Sequence, residues 1–128
     1  MSRVATIAFA VALASLAACT SRDGSSSGAT SSGGSTCPDD LPAACAAPPP
    51  SYAKDVAPAI QASCTPCHAS GGSASNRLLT DYADAFANRG SVLNQIHACR
   101  MPPVDAAPLS AANRKILLEW VVCGAPND

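Results

Sequence analysis

Cys64, Cys67 and His68 lie in C-T-P-C-H, two thiols three residues apart with an imidazole directly behind the second. Four kinds of chemistry use such a group. A thioredoxin-like redox pair needs C-x-x-C beside a βαβ pattern, and no β-branched runs surround Cys64. A zinc site could draw on Cys64, Cys67, His97 and Cys99, although that spacing is irregular. A short disulfide between Cys64 and Cys67 is a third use. The fourth is covalent haem attachment, for which C-x-x-C-H is the signature. Both sulfurs then form thioethers to the porphyrin and His68 becomes an axial ligand. The spacing follows from geometry, since the two attachment points and the iron belong to one rigid plane.

The compartment bears on the choice. Arg3 precedes an almost unbroken apolar run over residues 4–18. That is short of the roughly 20 residues a membrane span needs and suits the core of a secretory signal peptide, assigned here to residues 1–18. The stretch Leu16-Ala17-Ala18-Cys19 resembles the bacterial lipobox, which implies cleavage before Cys19 and lipidation of that residue, with Thr20 behind it leaning towards the outer membrane. Apart from Arg22, Asp23 and Ala29, every residue over 20–36 is Ser, Gly or Thr, so 19–36 read as a lipidated cysteine and a flexible tether. Residues 37–50 form a Pro-rich segment, and the compact domain is placed at 51–128. An exported chain meets an oxidising environment in which free thiols seldom persist. Export therefore favours haem attachment over a zinc or dithiol site.

Composition limits the rest. The chain has 128 residues, a formal net charge of −1 and eight scattered basic residues, so nothing resembles a nucleic-acid footprint. Aromatics make up only 4%. A small domain with so few large side chains needs disulfides, a metal or a bulky cofactor to hold it together.

The elements that must position the motif are helical. Asp55 is expected to cap a first helix in which Pro58 is tolerated, and Val56, Ile60 and Cys64 then share a face. Residues 69–76 read as a loop. Thr80 is expected to cap a short helix over 81–88 that Gly90 ends, with another short helix over 91–98. Ser110 caps a last helix whose apolar face carries Ile116, Leu117, Trp120 and Val121, with Gly124 just past its end.

Met101 stands well beyond His68 in the chain, in C-R-M-P-P. Pro102 and Pro103 restrict the backbone around it, so a loop of this kind can present a thioether with little entropy lost. His97 is the rival second ligand, with a surface or core histidine as its plainer role.

Residues 52–126 resemble the class I monohaem c-type cytochromes: D-V-A-P-A-I before the haem motif, C-T-P-C-H itself, M-P-P after a gap, and L-S, W-V and G-A at the end. The resemblance implies an all-α fold, a cytochrome c-like bundle of about three to five short helices wrapped around one covalent haem c. It implies Cys64 and Cys67 as attachment points and His68 and Met101 as axial ligands. Both axial positions are then filled, and the protein is an electron carrier, not an enzyme. Its partners would be redox proteins of the cell envelope, with the membrane reached through the lipid anchor and the domain facing the periplasm. Two alternatives remain: a haem sensor or enzyme with an open distal face, and a haem-free, disulfide-stapled lipoprotein module. The remaining cysteines are assigned from placement, Cys99 with Cys123 and Cys37 with Cys45. The first bridge would close a loop of about 25 residues, contributing roughly 3 kcal/mol in the chain-entropy model.

Overall fold

The structure, a computed structural model, describes residues 37–128. The signal peptide, Cys19 and the tether expected from the sequence lie outside these residues. The described residues hold helices and no strand, so the all-α expectation holds. No helix among them is long and apolar enough to cross a membrane.

The chain enters the helical body at Ser51, not at Asp55. The Ser51 hydroxyl accepts from the Lys54 amide, and the Asp55 carboxylate accepts from the Ser51 amide at 2.9 Å. This reciprocal pair satisfies two amides that a lone Asp55 cap would leave open. One π-helical turn, Tyr52–Val56, leads into α1, Ala57–Ser63, which carries Pro58 in its first turn. A short α2, Thr65–His68, follows almost without a break, and Cys64 is the joint between them. The Cys64 amide donates to the Ile60 carbonyl (2.8 Å), and its own carbonyl accepts from the His68 amide (2.9 Å). The C-T-P-C-H segment is therefore held as helix on both sides of its first cysteine.

Residues 69–76 form turns, as expected, and fold back over the motif. The Ala74 amide donates to the Cys67 carbonyl and the Leu79 amide to the His68 carbonyl, each at 2.9 Å. Gly72 is required here, since a Cβ at that position would stand 2.3 Å from the Cys67 carbonyl oxygen.

The two short helices expected either side of Gly90 are one 16-residue helix, α3, Tyr82–His97. Asp81 caps it in place of Thr80, its carboxylate accepting from the Asp84 amide at 2.9 Å. Thr80 instead donates its hydroxyl to Asp84 (2.7 Å). A mid-helix glycine costs only about 1 kcal/mol relative to alanine. Ala85 from the first half and Ile96 from the second are buried in the same core, which outweighs that cost.

The last helix, α4, Ala111–Val122, starts and stops where the sequence indicates. Ser110 accepts from the Asn113 amide, and Gly124 has φ +86°. It packs against α3, α1 and the π-helical turn. Trp120 is fully buried, its ring centroid 5.8 Å from Tyr52 and 6.4 Å from Tyr82, and its Nε1 donates to the Pro126 carbonyl. Val56, Ile60, Leu117 and Leu118 complete the centre of the core.

The cysteine pairing differs from the expectation. Cys37 bonds Cys99 and Cys45 bonds Cys123, in place of 99–123 and 37–45. Pro38 and Pro42 lie between Cys37 and Cys45, and each biases the backbone before it to extended forms, which keeps those two thiols apart. The Pro-rich segment becomes a strap, one end tied beyond α3 and the other at the end of α4. Between the ties Arg114 of α4 grips Asp40 with two bonds of 2.7 Å.

Candidate functional site

Three parts of the chain meet around one cavity. The α1–α2 joint contributes Cys64, Cys67 and His68; α3 contributes Val92 and Ile96 among others; the loop before α4 contributes Met101, Pro102 and Pro103. Leu79 and Leu109 add apolar wall. The volume is about 250 Å³, close to the lower end of small-molecule pockets, about 300 Å³. Met101 is 41% exposed and stands where the cavity meets solvent.

The structure thus brings Cys64, Cys67, His68 and Met101 to one place, although a loop, the whole of α3 and a turn separate Met101 from His68 along the chain. His97 does not line this cavity. Its Nε2 is 3.5 Å from Asp39 on the strap, which matches the plainer role given to it.

His68 is held in one orientation. Its Nδ1 lies 2.8 Å from the Arg77 carbonyl oxygen. A carbonyl only accepts, so Nδ1 carries the proton, and in the neutral ring Nε2 keeps its lone pair. A backbone acceptor on the far nitrogen is a common arrangement behind a metal-binding histidine. Cys64 is a free thiol, and burial pushes its pKa up to about 11. Cys67 is disulfide-bonded.

The sequence expectations do not include Arg77 or the cavity face of α3. Asn88, Ser91, Val92, Gln95 and Ile96 line the cavity, at the i, i+3, i+4, i+7, i+8 spacing of a single helical stripe. Taking Gly90 as a helix end divides that stripe in two and hides it.

No known family, curated protein or solved structure matches the chain. The resemblance to class I monohaem cytochromes is corrected accordingly. The described residues contain no group of three or more His, Cys, Asp or Glu side chains that could hold a metal ion. The cysteines are largely committed to disulfides, Cys67 of the motif among them. The zinc alternative fails on the same grounds, because Cys99 is bonded to Cys37 and His97 faces the strap.

Proposed function

We propose that the chain is an exported electron carrier that holds one haem c covalently in this cavity. Family membership plays no part in this reading, which rests on the site alone. The observation that carries it is the donor set. A thiol joint, an imidazole with its Nδ1 occupied by a carbonyl, and a thioether border one apolar cavity. That set suits a flat, apolar, iron-bearing ligand. Cys64 and Cys67 would hold it through their sulfurs, and His68 and Met101 would supply the imidazole and the thioether to its iron. Thioether formation adds S–H across a vinyl group and needs no oxidant. It does need a thiol reductant to release Cys67 from its disulfide first. When bound, the group supplies a one-electron couple.

The anchor at Cys19, the periplasmic face of the outer membrane as location and redox proteins of the envelope as partners belong to this proposal on sequence grounds. The test is expression in a host with haem-ligation machinery, followed by mass spectrometry and optical spectra of oxidised and reduced protein. A covalent haem mass on the peptide bearing Cys64 and Cys67, with a six-coordinate spectrum, is expected. Colourless protein without added mass overturns the proposal and favours the haem-free, disulfide-stapled module.

The exposure of Met101 favours one second reading, a sensor or enzyme with a displaceable distal ligand. Carbon monoxide separates the two: a firmly held Met101 resists it, and ready binding by the reduced wild-type protein supports the second reading.

A further inference from the structure

The strap is tied by two disulfides whose surroundings differ. Each joins an exposed cysteine, Cys99 or Cys45, to a half-buried one, Cys37 or Cys123, so access to solvent does not separate them. Charge does. Arg114 gives Nε and Nη2 to Asp40, and its Nη1 faces the Ile96 carbonyl and the Cys99 sulfur, the latter at 3.6 Å. The sulfurs of Cys45 and Cys123 instead lie beside the Ala46 carbonyl oxygen, at 3.2 and 3.7 Å. A disulfide opens by expelling one sulfur with the bonding electron pair. A neighbouring cation eases that departure and a carbonyl oxygen opposes it. Within the first bond Cys99 is therefore the better leaving group, since the Cys37 sulfur is 2.9 Å from the His97 carbonyl oxygen.

The same bond holds one wall of the cavity. Helix α3 ends in a turn where Cys99 has φ +53°, a position that favours glycine. The Cys99 amide donates to the Ile96 carbonyl at 2.9 Å, and the Arg100 and Met101 amides donate to the Gln95 carbonyl at 2.8 and 3.2 Å. With a Cβ at that position the turn is disfavoured by itself, and the bond to the strap helps to keep it. We infer that Cys37–Cys99 is a redox-active disulfide that an external dithiol opens in preference to Cys45–Cys123, releasing the turn that carries Met101. One sulfur of the dithiol attacks Cys37, the bond to Cys99 breaks, and Cys99 leaves with the electron pair. The second sulfur attacks the first and expels Cys37. Two electrons pass to the chain, Cys37 and Cys99 end as thiols after taking up two protons, and the dithiol ends as a disulfide. None of this depends on haem; under the proposed function the released turn is the one that presents the second ligand.

The test has two arms, and both read the same whether or not the chain carries haem. In the first, the oxidised full chain is treated with dithiothreitol, the released thiols are alkylated at intervals, and peptides are mapped by mass spectrometry. Cys37 and Cys99 are expected to become alkylated about tenfold faster than Cys45 and Cys123, as a charge-assisted departure implies. In the second, hydrogen exchange of backbone amides is followed by NMR in two paired variants, each of which keeps the other bond of the strap. C37S with C99S should exchange the Arg100 and Met101 amides about tenfold faster than the wild type, while the Leu117 and Leu118 amides of α4 stay protected. C45S with C123S should leave the Arg100 and Met101 amides as they are in the wild type. Opening of Cys45–Cys123 at the same rate or first overturns the inference. So does exchange at Arg100 and Met101 within about twofold of the wild type in C37S with C99S, or equal loosening there in C45S with C123S. Loss of protection in α4 along with the turn also overturns it, because the bond would then be a general staple.

Discussion

His68 and Met101 are held with different firmness, and their substitutions should fail in different ways. His68 is half-buried and tied through Nδ1 to the Arg77 carbonyl, whereas Met101 is 41% exposed on a loop stiffened by two prolines. If both ligate iron, M101A should keep the covalently added mass, since it leaves both thiols intact. Its reduced form should bind carbon monoxide readily where the wild type resists, as the optical spectrum would report. H68A should retain little or no correctly ligated haem in the same preparation. Unchanged resistance to carbon monoxide in M101A would remove Met101 from the site. Cys64 permits a test that needs no cofactor. With its pKa pushed up to about 11 by burial, its thiolate fraction at pH 8 is about a hundredfold below that of an ordinary thiol. Alkylation of the oxidised chain should be slower by about that factor and should rise about tenfold per pH unit up to pH 10. Reactivity equal to that of free cysteine at pH 8 would mean that Cys64 is not enclosed as described. At this scale the sequence was informative for a definite reason. Thiols, imidazole and thioether are announced by residue type, and C-x-x-C-H is contiguous. Arg77 is not legible in this way, because what it gives His68 is a backbone carbonyl, which every residue possesses.

Elements were legible where capping chemistry is local. Ser110 and Gly124 bracket α4 because each acts within one turn of itself. The first helix begins earlier than expected because its cap joins Ser51 to both Lys54 and Asp55, and Asp55 alone marks only half of it. Helix α3 was divided because Gly90 followed by Ser91 reads as punctuation, and what carries the helix through is tertiary. Two glycines turn this contrast into a prediction. A Cβ on Gly90 would meet nothing within 4 Å, and Gly90 is not among the residues with positive φ. G90A should therefore stabilise the chain by about 0.5–1 kcal/mol. In a domain of this size that is a rise of a few degrees in Tm. G72A should do the reverse, because its Cβ would collide with the Cys67 carbonyl and carbon, which are backbone and cannot swing aside. A loss of about 1–3 kcal/mol is expected. Thermal melts of the pair decide the matter. A destabilised G90A would mean that α3 is not continuous, and a neutral G72A that the turn over the motif is loose.

Across the whole molecule the strap is the main organising feature that local patterns do not reveal. Its two disulfides join residues 62 and 78 positions apart, so each closes most of the described chain. In the chain-entropy model a bridge over a loop of that size contributes about 4 kcal/mol, more than the local pairing expected from the sequence would supply. Pairing of this kind is set by the assembled fold, and four cysteines allow three pairings that spacing cannot separate. Between the bridges lies an ion pair whose effect depends on pH. Arg114 is buried, and besides Asp40 it donates to the carbonyls of Ile96, His97 and Pro38, so it joins α3, α4 and the strap. Hydrogen bonds from the Arg114 guanidinium hold the Asp40 carboxyl below the usual carboxylate range, burial opposing them more weakly. The folded-state pKa is thus lower than the unfolded one. The stability it brings is present above the unfolded value, near pH 4, and is lost as pH falls through the folded value. D40N should accordingly cost about 1–2 kcal/mol at neutral pH. The lower end applies because the Asp40 side chain is 39% exposed, where solvent screens it, and because the backbone acceptors still serve Arg114. Melts of wild type and D40N, both oxidised, should run apart by a constant margin from pH 7 down to about pH 4 and converge below it. A margin that persists at pH 2, or none at pH 7, would show that the strap is held by its disulfides alone.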